Sequence, residues 1–298
     1  MDYYSTTPAC VSIYKQGIKL LRDKVHLKVM KSVGAKRGKI TSFSKQSSAR
    51  LRNVFLTHDI PNSAKVGWTL TLPWSDDLFD TEDAQGWELF RALLNKVQIY
   101  FKRKAPNSGY IFRIELQQRG APHLHAIEYC ASGSEAQLGK VWMSQILLHQ
   151  STPMDTLDAF IKYGVKRDGL KAKDNTGYYR YLTDHASKHK QAQLGYQGKQ
   201  WGIVNRSAFV IEKGKTYDLE PDEYRLFVRY FQRHNRYPVT KVSGGTRTVV
   251  KYRRNRRSIG ASFLRGGSDA SLKLLALARS NAEWPIADTG RHFGVKQS

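Results

Sequence analysis

Glu115-Leu-Gln-Gln-Arg-Gly-Ala-Pro-His123-Leu-His125 sets a Gly/Pro turn between two alternating runs, Tyr110 to Gln117 and His123 to Tyr129. That is the pattern of an antiparallel hairpin closed through residues 119–122. Residues i and i+2 of a strand share a face, so His123 and His125 point the same way, as do Glu115 and Gln117. If the hairpin closes as expected, both pairs fall on one face. Two imidazoles with a carboxylate or amide oxygen form a mixed, partly open site suited to Mg²⁺ or Mn²⁺, or to zinc. The pair alone is equally compatible with two hydrogen-bonded histidines on a sheet face. A His-x-His-x-His pattern fails because residue 127 is Ile, and zinc-finger spacing fails for want of cysteines.

Working outward, Val66 to Leu72 (VGWTLTL) alternates, is rich in β-formers and ends at Pro73. Thr81 to Lys104 carries helical periodicity through Leu89, Leu93, Leu94, Val97 and Phe101, with Lys102, Arg103 and Lys104 at its C-terminal end. Ser44 to Asp59, Ser134 to Gln150, Leu157 to Tyr163, Tyr178 to Gln193 and Pro221 to Asn235 read as further helices, and Ala208 to Lys213 as a strand. Strand, helix, hairpin, helices indicates α+β with an antiparallel sheet. Residues 1–41 read as a basic N-terminal segment, 42–238 as the folded domain, and 239–298 as a basic, partly flexible extension with a short helix at Leu272 to Arg279.

The chain has 298 residues with 49 Lys/Arg against 25 Asp/Glu, a formal net charge of +24. Residues 1–60 and 239–298 each hold twelve cations against three acids. Such clustering is the footprint of a protein that meets a polyanion, with nucleic acid the default. Arg253, Arg254, Arg256 and Arg257 are the densest run and the candidate DNA contacts. No apolar run approaches the ~20 residues a spanning helix needs, so no membrane association is expected. The two cysteines and the lack of a signal-like N-terminus suit a reducing, cytoplasmic setting, the host cytoplasm if the chain is phage-encoded.

A second constellation lies downstream, Gly177-Tyr-Tyr-Arg-Tyr-Leu-Thr-Asp-His-Ala-Ser-Lys188. At ~100° per residue, Tyr178, Tyr181, His185 and Lys188 fall on one helix face. A tyrosine hydroxyl can attack a phosphodiester and conserve the bond as phosphotyrosine. A metal would supply the charge stabilisation that a phenol lacks, and a lysine can help position the phosphate.

In order and spacing these motifs resemble the HUH endonucleases, and within them the rolling-circle replication initiators of small single-stranded DNA phages and related plasmids. Trp68-Thr-Leu-Thr-Leu-Pro73 is similar to their first motif, and Arg119-Gly-Ala-Pro-His-Leu-His125 to their His-hydrophobe-His motif. The preceding Glu115-x-Gln-x-Arg-Gly is similar to the phage branch. Tyr181 to Lys188 is similar to the tyrosine helix, and Gly198-Lys-Gln-Trp-Gly-Ile-Val-Asn-Arg206 to a segment that follows it. The resemblance covers about residues 42–215.

It implies a five-stranded antiparallel sheet flanked by helices. It also implies a metal-dependent nick at one origin strand, a 5′-phosphotyrosine intermediate, a 3′-hydroxyl primer and later rejoining of the displaced strand. His123, His125 and Glu115, with Gln117 as alternative, would hold Mg²⁺ or Mn²⁺. Tyr181 would be the nucleophile, assisted by Lys188, with Tyr178 as a second or alternative nucleophile. The pattern Tyr-x-x-Lys-Tyr-x-x-Lys is broken here by Asp184 and His185. That departure leaves open a catalytically degenerate DNA-binding regulator, beside a transposase or relaxase on the same scaffold. Gly34-Ala-Lys-Arg-Gly-Lys-Ile is one residue short of a phosphate-binding loop and lacks its Ser/Thr, so no NTP site is expected. Single-stranded and origin DNA, a separate helicase and the host DNA polymerase are the implied partners.

Overall fold

A computed structural model describes residues 9–22, 43–59, 65–73, 85–117, 121–130, 135–148, 160, 162, 164–168, 170, 176–184, 198–243, 246–253, 261–264 and 266–282. The chain divides into two compact units, residues 29–213 and residues 1–28 with 214–298. Among the described residues it is α+β and built on antiparallel sheets, as expected.

In the larger unit, α1 (Lys45–Thr57) and β3 (His58–Asp59) precede the central strand β4 (Lys65–Leu70). Then come α2 (Gln85–Lys104), β5 (Gly109–Leu116), β6 (Pro122–Tyr129), α3 (Leu138–Leu147), β7 (Val165–Asp168) and α4 (Thr176–Asp184). The unit closes with β8 (Trp201–Val204) and the short β9 (Val210–Ile211). Strand order in the five-stranded sheet is β7-β4-β6-β5-β8. The hairpin register pairs Glu115 with His123 and Arg113 with His125, while β4 sets Thr69 opposite His125.

Alternation gives this sheet two different faces. Val66, Trp68, Leu70, Tyr110, Phe112, Ile114, Leu124 and Ala126 pack with Phe90, Val97, Phe101 and Trp142 of α2 and α3 into one core. Glu128 ties α3 to that face from a distance in sequence. Its carboxylate accepts from Gln137 N at 2.7 Å, Leu138 N at 3.1 Å and the Trp68 indole at 2.8 Å. It thereby satisfies N–H groups at the start of α3. The opposite face carries Gly67, Thr69, Arg113, Glu115, His123 and His125. α1 meets α4 beside it through stacked Phe55 and Tyr179 rings, 4.7 Å apart, and a 2.7 Å bond from the Ser48 hydroxyl to Thr183 O.

The smaller unit departs from the expected partition. Residues 9–22, expected within a basic N-terminal segment, form the hairpin β1 (Ala9–Tyr14) and β2 (Gly17–Arg22). β10 (Lys215–Leu219) and β13 (Ala261–Phe263) flank it in the order β10-β1-β2-β13. α5 (Pro221–His234) and α6 (Gly267–Ala282) complete the core, with Val11, Ile13, Ile18, Leu226, Phe227 and Leu275 buried. The two ends of the chain thus share one fold, because β1 needs a partner on each side and β10 lies far away in sequence. The expected flexible extension also holds a hairpin, β11 (Tyr237–Ser243) and β12 (Thr246–Arg253). The strand expected over Ala208 to Lys213 is largely replaced by a 3₁₀ turn at Arg206–Ala208 and the two residues of β9. Most of Leu157 to Tyr163 and all of 185–193 lie outside the described residues.

Candidate active site

The hairpin brings Glu115, His123 and His125 together, with one ligand atom from each within 4.8 Å of the others. The imidazole Nε2 atoms are 2.8 Å apart, and Glu115 Oε2 lies 3.9 Å from that of His123 and 3.6 Å from that of His125. An ion ~2.1 Å from each donor requires donors about 3.0–3.4 Å apart for angles of 90–109°. The three atoms stand close to that spacing, and two nitrogens with one carboxylate suit a divalent ion. Glu115 and His125 are buried and His123 is partly exposed. Gln117 closes the hairpin instead, its N–H donating to Ala121 O at 2.9 Å.

Neighbouring strands fix the orientation of His125. Thr69 Oγ1 donates to Asp168 Oδ2 at 2.8 Å and lies 3.0 Å from His125 Nδ1. A hydroxyl has one proton, so with that proton on Asp168 the Thr69 oxygen accepts from Nδ1–H. The Nε2 lone pair of His125 then points into the cluster. Gly67 permits this arrangement, because a Cβ there would sit 3.0 Å from Asp168 Cβ.

Arg113, two residues before Glu115 on the same face, is fully buried. Its Nη1 lies 3.4 Å from Glu115 Oε1 and donates to Leu182 O at 2.6 Å, while its guanidinium stacks 4.2 Å from the Phe43 ring. A single side chain therefore balances the cluster's carboxylate and pins the last turn of α4.

Both candidate tyrosines project from α4 toward this face, in different settings. Tyr181 is 38% exposed, and its hydroxyl stands 3.0 Å from His125 Nε2. Burial and the Glu115 carboxylate push its phenol up to about 12. The Tyr178 hydroxyl is more enclosed and donates to Asp168 Oδ2 at 2.9 Å. Burial, then Asp168, holds that phenol far above its ordinary value. Lys188 and His185 lie outside the described residues, as do Arg254, Arg256 and Arg257, while Arg253 ends β12.

Residues 65–168 match a family model for replication-associated proteins, of the ORF2 and gene 2 protein type. The match is consistent with a rolling-circle replication initiator. It contains Thr69, Arg113, Glu115, His123, His125 and Asp168 and ends before α4, so both tyrosines stand outside it. Neither the curated proteins nor the solved structures gave a significant match to this chain.

Thr69, Arg113 and Asp168 are not singled out by the sequence reading. Arg113 carries a signal, a cation two residues before the carboxylate on one strand. Asp168 carries none, because its approach to Thr69 depends on β7 joining the sheet edge.

Proposed function

We propose that the chain is a DNA strand-nicking and strand-joining replication initiator, with Tyr181 as nucleophile and Glu115, His123 and His125 as the metal ligands. The observation that carries this reading is the 3.0 Å separation between the Tyr181 hydroxyl and His125 Nε2, at an exposed edge of the cluster. Tyr178 is the poorer candidate, because its hydroxyl is committed to Asp168 and a scissile phosphate would have to displace that bond.

The bound Mg²⁺ or Mn²⁺ would polarise the scissile phosphate and offset charge in the transition state. Tyr181 Oη forms a bond to phosphorus as the P–O3′ bond breaks, and the phenol proton ends on O3′, leaving a 3′-hydroxyl. Attack by a 3′-hydroxyl on the phosphotyrosine reverses these changes and rejoins a strand. Asp168 and Thr69 hold the His125 tautomer, and Arg113 holds Glu115 and α4 in mutual register. Burial around Tyr181 disfavours a free phenolate, so attack waits on a cation and substrate in place.

The test is a denaturing gel after incubating the protein with labelled single-stranded DNA from its own replicon and Mn²⁺ or Mg²⁺. A metal-dependent covalent band is expected from wild type and Tyr178→Phe, and none from Tyr181→Phe or His123→Ala. A band retained by Tyr181→Phe and lost by Tyr178→Phe would move the nucleophile by one turn. Tight binding with no adduct from any replicon fragment would favour the degenerate regulator, whose support is Asp184 and His185 in place of the family residues.

A further inference from the structure

We propose that the β11–β12 hairpin is a duplex-DNA arm that lies in the major groove, built from residues other than those of the active site. β11 and β12 pair only with each other among the described residues, as a two-stranded sheet. An isolated ribbon of this kind gains little stability by itself, which argues that it is kept for a partner.

Its chemistry specifies a polyanion. The stretch from Tyr237 to Arg253 contains Lys241, Arg247, Lys251 and Arg253 and not one acid. The pairing sorts these cations. Lys241 pairs with Thr248 and Val242 with Arg247, so Lys241 and Arg247 occupy opposite faces of the ribbon. The register then shifts, with Thr240 opposite Val249 and Val239 opposite Lys251, leaving Val250 without a counterpart. That one-residue bulge moves every later position of β12 to the other face. Lys251 and Arg253 thereby share the face of Lys241, whereas an unbroken ladder would set them with Arg247. Three of the four cations occupy one face because of the bulge.

The geometry favours a duplex over a single strand. The B-form major groove admits a two-stranded ribbon, and eight residues span about 26 Å, enough to follow the groove. Single strands are held by grooves with aromatic stacking platforms, which a free ribbon does not enclose. A-form RNA has a major groove too deep and narrow for such an arm. α5 leads into β11 through only Asn235 and Arg236, and its Arg225, Arg229 and Arg233 recur every four residues along one helix face. Asp222 partly offsets this row, 3.1 Å from Arg225.

The test uses the full chain and fluorescence anisotropy with three probes of about 30 nucleotides per strand: a DNA duplex, one of its strands, and the RNA duplex of the same sequence. Each phosphate contact adds ~0.9 to the slope of log affinity against log salt. Combined Lys241→Ala, Lys251→Ala and Arg253→Ala should lower the slope on the DNA duplex by about 2.7 and weaken binding about a hundredfold at 0.15 M salt. Binding of the single strand should change by less than about threefold. Arg247→Ala should cost clearly less, and Lys241→Arg with Lys251→Arg and Arg253→Lys should restore affinity. Equal losses on single strand and duplex, no loss on the duplex, or wild-type binding of the RNA duplex as tight as the DNA duplex would each overturn the proposal. None of these readouts requires nicking, so failure here is distinct from failure of the active-site reading.

Discussion

Thr69 Oγ1 lies 3.0 Å from His125 Nδ1, and Asp168, 2.8 Å away on the next strand, takes the Thr69 proton. The relay selects the tautomer whose Nε2 lone pair faces His123 and Glu115. Removing the hydroxyl while keeping the shape should therefore weaken metal binding. Thr69→Val is expected to lower Mn²⁺ affinity about 10- to 100-fold, as loss of an outer-shell partner does elsewhere. Thr69→Ser should restore it. Calorimetric titration of each variant with Mn²⁺ checks this, and unchanged affinity in Thr69→Val would remove Thr69 from the relay.

Tyr178 and Tyr181 are one helical turn apart, yet only one of them can change partners without cost. The Tyr178 hydroxyl donates to Asp168 at 2.9 Å, so Tyr178→Phe deletes a bond to a carboxylate. The expected loss is about 1.5–3 kcal/mol of stability in urea unfolding. Adduct formation per folded molecule should stay within about threefold, since less than 1 kcal/mol of the barrier is at stake. If Tyr178→Phe abolishes the adduct while the fold holds, Tyr178 is part of the reaction.

The hairpin was legible because turn chemistry and period-2 alternation agreed. Its register then set Glu115 beside His123 with no further information. The supporting residues were not legible, because each depends on a pairing between distant segments. Asp168 reaches Thr69 across the β4–β7 pair, and Glu128 reaches the start of α3 through a loop. The smaller unit was hidden for the same reason. β1 looks like an ordinary short apolar run until β10, about 200 residues later, pairs with it in the register Val11 to Tyr217. Basic residues at both chain ends encouraged reading them as extensions, although the same stretches carry buried Val11, Ile18 and Leu275.

Cys130 follows β6 and is buried, with its thiol pushed up to about 12, by burial first and by Glu128 second. The folded value is raised above the ordinary 9.0, so the native state keeps its proton where the unfolded chain loses it. Stability should therefore fall as pH rises from about 9 toward 12. At pH 8 the thiolate fraction is about one in ten thousand. Iodoacetamide at pH 8 should leave Cys130 unmodified in the native protein and alkylate it in urea, as read by peptide mass spectrometry. Rapid native modification would mean that the end of β6 opens to solvent.

Arg113 supplies the severest test of how α4 is held. The guanidinium has no exposed surface and meets both Glu115 and Leu182 O. Arg113→Ala leaves Glu115 without its buried counter-charge, and breaking such a pair costs about 3–5 kcal/mol. Arg113→Lys keeps the charge but cannot reach two acceptors with a planar fork. It should fold with a smaller loss, while the carbonyl of Leu182 loses its donor and the last turn of α4 loosens. Tyr181 sits in that turn, so its position over His125 becomes less defined. The expected signature of Arg113→Lys is near-normal Mn²⁺ binding with adduct formation slowed by about a hundredfold, in keeping with the sensitivity of such reactions to a ~1 Å misplacement. Normal adduct formation in a folded Arg113→Lys protein would show that α4 is held by its packing on α1 alone.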